Sequence, residues 1–415
     1  MNIYKINNNK FKSIYISYNF TQEVSDTKIF SSYAVLASLM AKSSKKYTTQ
    51  KDIEKYLNSL YGANFDVNIE KFGDLYNLEF RVEFVNKKFI PSKEELLEKV
   101  LLFLREMIYN PADWTQDILD RERDFILQRI NERKDEKLKY GIQRAEELLC
   151  KGEPFGTYLY GEKDVVEKLE VYDINGAYNR LINNSLTVII SGNLDGYDNI
   201  ENDVEKIFKQ YDRNPNSKIE NLKYNIKKQE NYKYEEVKEI QDTTQSVLSL
   251  GLRIKECTPK DFYVLNVYNA ILGTTPSSKL FQNVREKESL AYTVRSRYYR
   301  FKDIIVIYAG INKENYSKAL EVIKMQLEDM RKGNITDIEF KSARDSLLAD
   351  LLEWKDSKVA MAKMKLSNLI AFKDADISID QMREEIKNVK IEDVTEVANK
   401  IEIEKVFLLG GEIDE

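Results

Sequence analysis

Two short stretches constrain any fold open to this chain. Leu186-Thr-Val-Ile-Ile-Ser-Gly-Asn-Leu-Asp195 is answered about 219 residues further on by Lys405-Val-Phe-Leu-Leu-Gly-Gly-Glu-Ile-Asp414. Each is an apolar, β-forming run that ends in a glycine and an acidic residue. A repeat of this length in a chain of 415 residues reads as a duplicated domain.

The order of the flanking segments agrees. Lys28 to Lys42 has apolar residues at helical spacing, and Thr49 caps a second helix that ends at Gly62. Two strand-like runs follow, Ala63 to Lys71 and Tyr76 to Asn86. The second alternates Leu78, Phe80, Val82 and Phe84 on one face, which predicts a buried face. Helical stretches Lys93 to Tyr109, Asp113 to Arg133 and Leu138 to Leu149 precede the first copy of the repeat, and a helix near Ile200 to Phe208 follows it. Beyond an Asn- and Lys-rich stretch from Asp212 to Tyr234, the same order returns. It runs as helices over Asp261 to Leu272 and Ser277 to Lys287, then strands over Ala291 to Phe301 and Asp303 to Ile311. Paired strands with no helix between them favour hairpins over a doubly wound sheet. The fold expected is therefore α+β: two duplicated domains, each a mostly antiparallel sheet layered with helices, facing each other across a cleft. The boundaries expected are 1–212, an exposed linker 213–234, and 235–415.

Composition narrows the chemistry. There is no histidine, which removes the commonest zinc ligand, the commonest general base and the orienting member of a Ser-His-Asp triad. A net charge of −5 gives no excess of positive charge for a phosphate backbone or an anionic membrane, so neither nucleic acid nor membrane is expected as a partner. Cys150 and Cys257 are too few for a four-thiolate metal site or a disulfide framework, and they read as inert thiols in a reducing compartment. Met1 to Phe20 lacks the apolar core of a signal peptide, and no uncharged stretch reaches membrane-spanning length. A cytoplasmic protein is expected.

One segment carries a specific resemblance. Leu272-Gly-Thr-Thr-Pro-Ser-Ser-Lys-Leu-Phe-Gln-Asn-Val-Arg-Glu-Lys-Glu-Ser-Leu-Ala-Tyr292 resembles the second-domain signature of pitrilysin/insulinase-type metallopeptidases, particularly the mitochondrial-processing-peptidase-like branch. Tyr308-Ala-Gly310, Leu57 to Phe65 and Arg121 to Leu127 extend the resemblance over almost the whole chain. It implies the two-domain repeat inferred above.

Active members of that family carry an inverted motif, H-x-x-E-H, completed by a Glu on a later helix. Two imidazoles and a carboxylate bind zinc, and the motif's Glu deprotonates the metal-bound water. With Lys42 to Thr48 as anchor, the motif falls on Ala34-Val-Leu-Ala-Ser38. Ala34 and Ser38 then stand where the histidines would be, and Ala37 where the base would be. The third-ligand slot, read against Glu122 to Ile130, falls on Arg129. A cation there repels zinc, so no metal is expected in this chain.

The Arg/Tyr pair of the family's second domain is retained as Arg285 and Tyr292. The resemblance implies that this pair grips the substrate backbone and the developing oxyanion. A guanidinium offers a fixed fork of donors and a phenol one more, and neither needs a proton shuttle. The bland alternative pairs Arg285 with Glu288 and makes Tyr292 an ordinary strand residue. Gly273, in the loop before the signature, is a candidate for lining the substrate chamber, or the turn merely starts a helix capped by Ser277 or Ser278. Trp114 and Trp354 read as packing residues on equivalent helices.

The reading these features favour is a non-catalytic subunit of a heterodimeric zinc metallopeptidase. It would supply Arg285 and Tyr292 in trans to a homologous H-x-x-E-H partner that holds the zinc, and extended or unfolded peptides would be the substrate. The alternative is a stand-alone or homodimeric pseudopeptidase that binds peptides or scaffolds an assembly without catalysis.

Overall fold

Strands alternate with helices in the same order twice along the chain. The computed structural model describes residues 1–91, 95–211, 217–224, 233–241, 243–373 and 377–411. The first repeat runs β1 (Asn2–Asn7), β2 (Ser13–Glu23), α1 (Lys28–Lys42), α2 (Gln50–Ser59), β3 (Asn64–Phe72) and β4 (Leu75–Val85). It continues with α3 (Leu96–Tyr109), α4 (Gln116–Glu132), α5 (Lys137–Leu149), α6 (Lys163–Val166), α7 (Val171–Leu181), β5 (Ser185–Gly192) and α8 (Ile200–Phe208). The second runs β6 (Glu235–Ile240), β7 (Ser246–Ile254), α9 (Asp261–Asn269), β8 (Ala291–Tyr299), β9 (Ile304–Ile311) and α10 (Tyr316–Arg331). It closes with α11 (Asp337–Trp354), α12 (Lys358–Phe372), α13 (Ile379–Asn388), α14 (Ile391–Ala398) and β10 (Ile401–Gly410).

The sheet orders show the duplication directly: β1-β5-β2-β4-β3 in one sheet, β6-β10-β7-β9-β8 in the other. In each, the outermost strand pairs parallel with its neighbour and every other pair is antiparallel. The repeated runs 186–195 and 405–414 supply the equivalent strands β5 and β10, with 412–414 outside the described residues. Both expected hairpins form, β3–β4 and β8–β9.

In the first sheet Ile16 sits opposite Val82 and Ile190, so Ile14, Ile16, Tyr18 and Phe20 share a face with Leu78, Phe80, Val82, Phe84, Val188 and Ile190. All are buried, and together with α1, α3 and α8 they form one core. The opposite face is polar yet also buried. There Thr21 donates to Asn77, Asn77 donates to Asn19, and Tyr15 donates to Glu79 at 2.7 Å. The polar face packs against α12, whose Lys358 meets Glu83 at 2.9 Å and whose Lys363 meets Glu70 at 3.6 Å.

The second sheet is covered on its corresponding face by α5. Tyr140 of that helix packs with Val247, Phe407 and Leu409, and Leu149 with Cys150, Phe155 and Ile304. Buried ions lie beside this contact. Lys302 is paired with Glu153, and Arg253 reaches Glu404 at 3.0 Å and the Leu149 carbonyl.

The compact units therefore differ from a contiguous division into 1–212 and 235–415. One comprises 1–131, 157–224 and 354–376, and the other 132–156, 225–353 and 377–415. Each sheet has two faces to remove from water, and each takes the helix for one face from the other repeat. Of the stretch expected as a linker, 212–216 and 225–232 lie outside the described residues, and Ile219 in between is buried.

Candidate functional site

The degenerate metal slots lie in the first unit. Ala34 and Ala37 are buried on α1, and Ser38, four residues beyond Ala34, is partly open. Ser38 Oγ donates to Glu122 Oε2 of α4 at 2.6 Å, and Lys42 Nζ, one further turn along α1, reaches the same oxygen at 2.6 Å. This clasp ties α1 to α4. Arg129, two turns beyond Glu122, lies over the Phe125 ring at 4.9 Å and the Tyr160 ring at 5.3 Å, and donates to the Tyr160 hydroxyl at 2.6 Å. Two alanines, a hydroxyl and two cations do not form a zinc donor set. Among the described residues no group of three or more Cys, Asp or Glu is arranged to hold a metal ion.

Glu122 and Phe125 enter the sequence reading only within the segments matched to the family pattern, with no role of their own, and Tyr160 does not enter it. Ser38 and Lys42 at i, i+4 were a legible signal that one α1 face had become polar. Tyr160 sits in irregular chain between α5 and α6 and offered none.

The second candidate site lies in the other unit. The helix expected over Ser277 to Lys287 begins at Lys279 and runs as wide π-type turns from Phe281 through Lys287. Similar turns occupy Ala270–Thr274. Such turns place one extra residue per turn and are enriched at functional sites. The helix ends when Ser289 takes a left-handed φ of 52° and its N–H bonds the Arg285 carbonyl, while the Leu290 N–H bonds the Val284 carbonyl. β8 starts two residues later with a bulge: Ala291 opposes Ile311 and Thr293 opposes Gly310, leaving Tyr292 without a partner in register. A bulge re-aims its extra side chain, and Tyr292 is 64% exposed.

Arg285 is likewise open, its side chain 43% exposed. The guanidinium lies 4.7 Å over Phe281, with Glu286 at 3.5 Å. Glu288 pairs with Lys318 at 2.6 Å, so the carboxylate beside Arg285 is Glu286 rather than Glu288. Tyr292 donates to Asn312 at 3.4 Å. Both side chains are donors held at the surface by one helix-to-strand turn.

Gly273 is placed differently from a chamber-lining loop. It is buried, and a Cβ there would meet the Ser296 N and Oγ at 2.6 Å. Glycine is required by close approach to β8, while Ser278 is buried rather than capping through its side chain. Trp114 is buried in the α3–α4 connection and Trp354 is exposed at the end of α11, so the two are not equivalent. Burial raises the Cys257 thiol far above its ordinary range, and Cys150 is fully buried. Neither is a reactive thiolate. Among the described residues no helix is long and apolar enough to cross a membrane.

Comparison with known proteins bears on the family and the fold. Residues 177–347 match the family described as "Peptidase M16 inactive domain". A "Probable inactive metalloprotease YmfF" of Bacillus subtilis is 27% identical over 97% of this chain and 94% of its own length. The "Uncharacterized zinc protease YmxG" of the same organism is 27% identical over 52% of this chain and 51% of its own. Among solved structures, a conserved protein from Enterococcus faecalis V583 superposes with a TM-score of 0.85 at 22% identity, covering 100% of this chain and 97% of that one. A peptidase M16 inactive domain from Pseudomonas fluorescens superposes at 0.79 and 16% identity, covering 100% and 96%. At those identities the superpositions speak for the fold, and the matching sequences for the lineage. Together these matches support a non-catalytic member of the M16 (pitrilysin/insulinase) metallopeptidase family, and the chain, which has no histidine, lacks the H-x-x-E-H zinc motif.

Proposed function

We propose that this chain is the non-catalytic subunit of a heterodimeric zinc peptidase, presenting Arg285 and Tyr292 to a peptide held by an H-x-x-E-H partner. The observation that carries the reading is the turn from Val284 to Tyr292. A left-handed Ser289 and a β-bulge hold a guanidinium and a phenol at the surface, and neither side chain is used in the core. Arg285 would fork onto a substrate carbonyl, and Tyr292 would donate to the oxygen that becomes negative as water adds. Both act only as hydrogen-bond donors, so the partner's metal and carboxylate supply all proton transfer. The coexistence in Bacillus subtilis of relatives called inactive metalloprotease and zinc protease supports a division of labour between chains.

Reconstitution with an H-x-x-E-H chain tests this. Arg285→Ala or Tyr292→Phe is expected to lower peptide cleavage on the order of 10²–10³-fold while the complex stays assembled. An unchanged rate in an intact complex would sink the reading.

A second reading, a pseudopeptidase that binds peptides unaided, is favoured by the metal slots. They are rebuilt as a clasp and a ring-held guanidinium rather than simply emptied.

A further inference from the structure

We infer that the former metal site is a receptor for a carboxylate, with Arg129 as its binding group. The inference rests on the reading of this chain as a peptide binder and names the part of the peptide recognised in the first unit.

The geometry is that of a preorganised cation. Arg129 is exposed, yet its guanidinium is fixed from two sides, over Phe125 at 4.9 Å and over Tyr160 at 5.3 Å. One N–H is spent on the Tyr160 hydroxyl, at 2.6 Å. A guanidinium has five N–H donors, so four remain. No carboxylate among the described residues pairs with it. Ring stacking removes much of the side-chain freedom that an exposed arginine otherwise loses on binding.

The nearby charges reinforce this. Lys42 lies 4.7 Å over the same Phe125 ring, but Glu122 already neutralises it at 2.6 Å. Ser38 donates to that carboxylate as well, so Glu122 is held away from Arg129 by two donors. The uncompensated charge at the site is the single positive charge of Arg129. One planar fork with one charge matches a carboxylate monoanion in bidentate geometry, whereas phosphate sites gather several cations. An M16 enzyme holds a divalent cation here, and this chain offers the opposite sign of ligand a fixed seat.

A peptide can present that carboxylate at its C-terminus or on an acidic side chain. Three short alanine-rich peptides titrated into the isolated chain by calorimetry separate the sources: the free acid, its C-terminal amide, and the amide carrying one internal glutamate. The free acid is expected to bind at least about tenfold tighter than the plain amide, the gain typical of one charge-assisted hydrogen bond. If the glutamate-bearing amide matches the acid, any carboxylate suffices; if it matches the plain amide, the C-terminus is read. Arg129→Gln should erase the preference while circular dichroism stays unchanged, since the residue is exposed. The inference is overturned if the acid does not bind, if all three peptides bind alike, or if Arg129→Gln keeps the preference. Because no partner chain is present, failure here leaves the roles of Arg285 and Tyr292 in cleavage to be decided by their own test.

Discussion

Ser38 donates its hydroxyl to Oε2 of Glu122 across 2.6 Å, joining α1 to α4. The contact is a hydrogen bond to a charged acceptor, and Lys42 completes it from the next turn of the same helix.

The two donors make the clasp's response to mutation unequal. Ser38→Ala leaves Glu122 still paired with Lys42 and should cost less than about 1 kcal/mol of stability. Glu122→Ala leaves the hydroxyl and the half-exposed ammonium without their shared acceptor and should cost about 1–2 kcal/mol, limited by rehydration of Lys42. Urea unfolding of the two variants checks this. Equal losses would mean that Glu122 holds nothing beyond Ser38.

The buried pair of Lys302 and Glu153 predicts strong non-additivity. Both side chains are almost wholly removed from water, and Glu153 has Arg253 at 3.8 Å as a second, looser partner. Lys302→Met strips a buried carboxylate of its close counter-ion and should cost on the order of 3–5 kcal/mol. Adding Glu153→Gln removes the stranded charge while Arg253 keeps Glu404, so the double variant should regain a measurable part of the loss. A double variant as unstable as the sum of the two single changes would show that the pair is not coupled.

Asp303 gives the second unit a pH signature. Burial raises its carboxyl from the ordinary 3.8 to about 6, against the opposing hydrogen bonds of Cys257 and Tyr298. Between those two values the folded state holds a proton that the unfolded chain has released. This group's contribution to stability therefore falls as pH rises through the window and is lost above it. Asp303→Asn, at a left-handed φ of 48° that asparagine tolerates, should gain on wild type by on the order of 2–3 kcal/mol between pH 4 and pH 7. Denaturation at several pH values reads the difference; a gap that stays constant with pH would mean that the side chain does not titrate there.

Particular elements show what the chain announces by itself. Leu78, Phe80, Val82 and Phe84 alternate because one face of β4 meets the helices, and the strand forms over Leu75–Val85 with that face buried. Thr49 opens α2 with a capping box to Asp52, a contact within four residues. The strands β1, β2, β6 and β7 were not assigned from sequence, although Ile14, Ile16, Tyr18 and Phe20 alternate in the same way as β4. The helices before Tyr292 lie where the spacing of apolar residues puts them, to within two residues, but their passage into wide π-type turns over Ala270–Thr274 and Phe281–Lys287 has no signal in that spacing.

Sequence alone determined the duplication, the hairpins and the absence of any histidine, because each depends on residue identity or on spacing over a few residues. Tertiary structure alone decided that α5 covers the second sheet and α12 the first. The same holds for the seat of Arg129 between Phe125 and Tyr160, and for Gly273 lying buried against Ser296. These contacts join residues far apart in the chain, and their partners are chosen by which apolar faces remain to be covered once the sheets have formed. Periodicity shows that a face is apolar, but the surface that buries it is set only when the whole chain has packed.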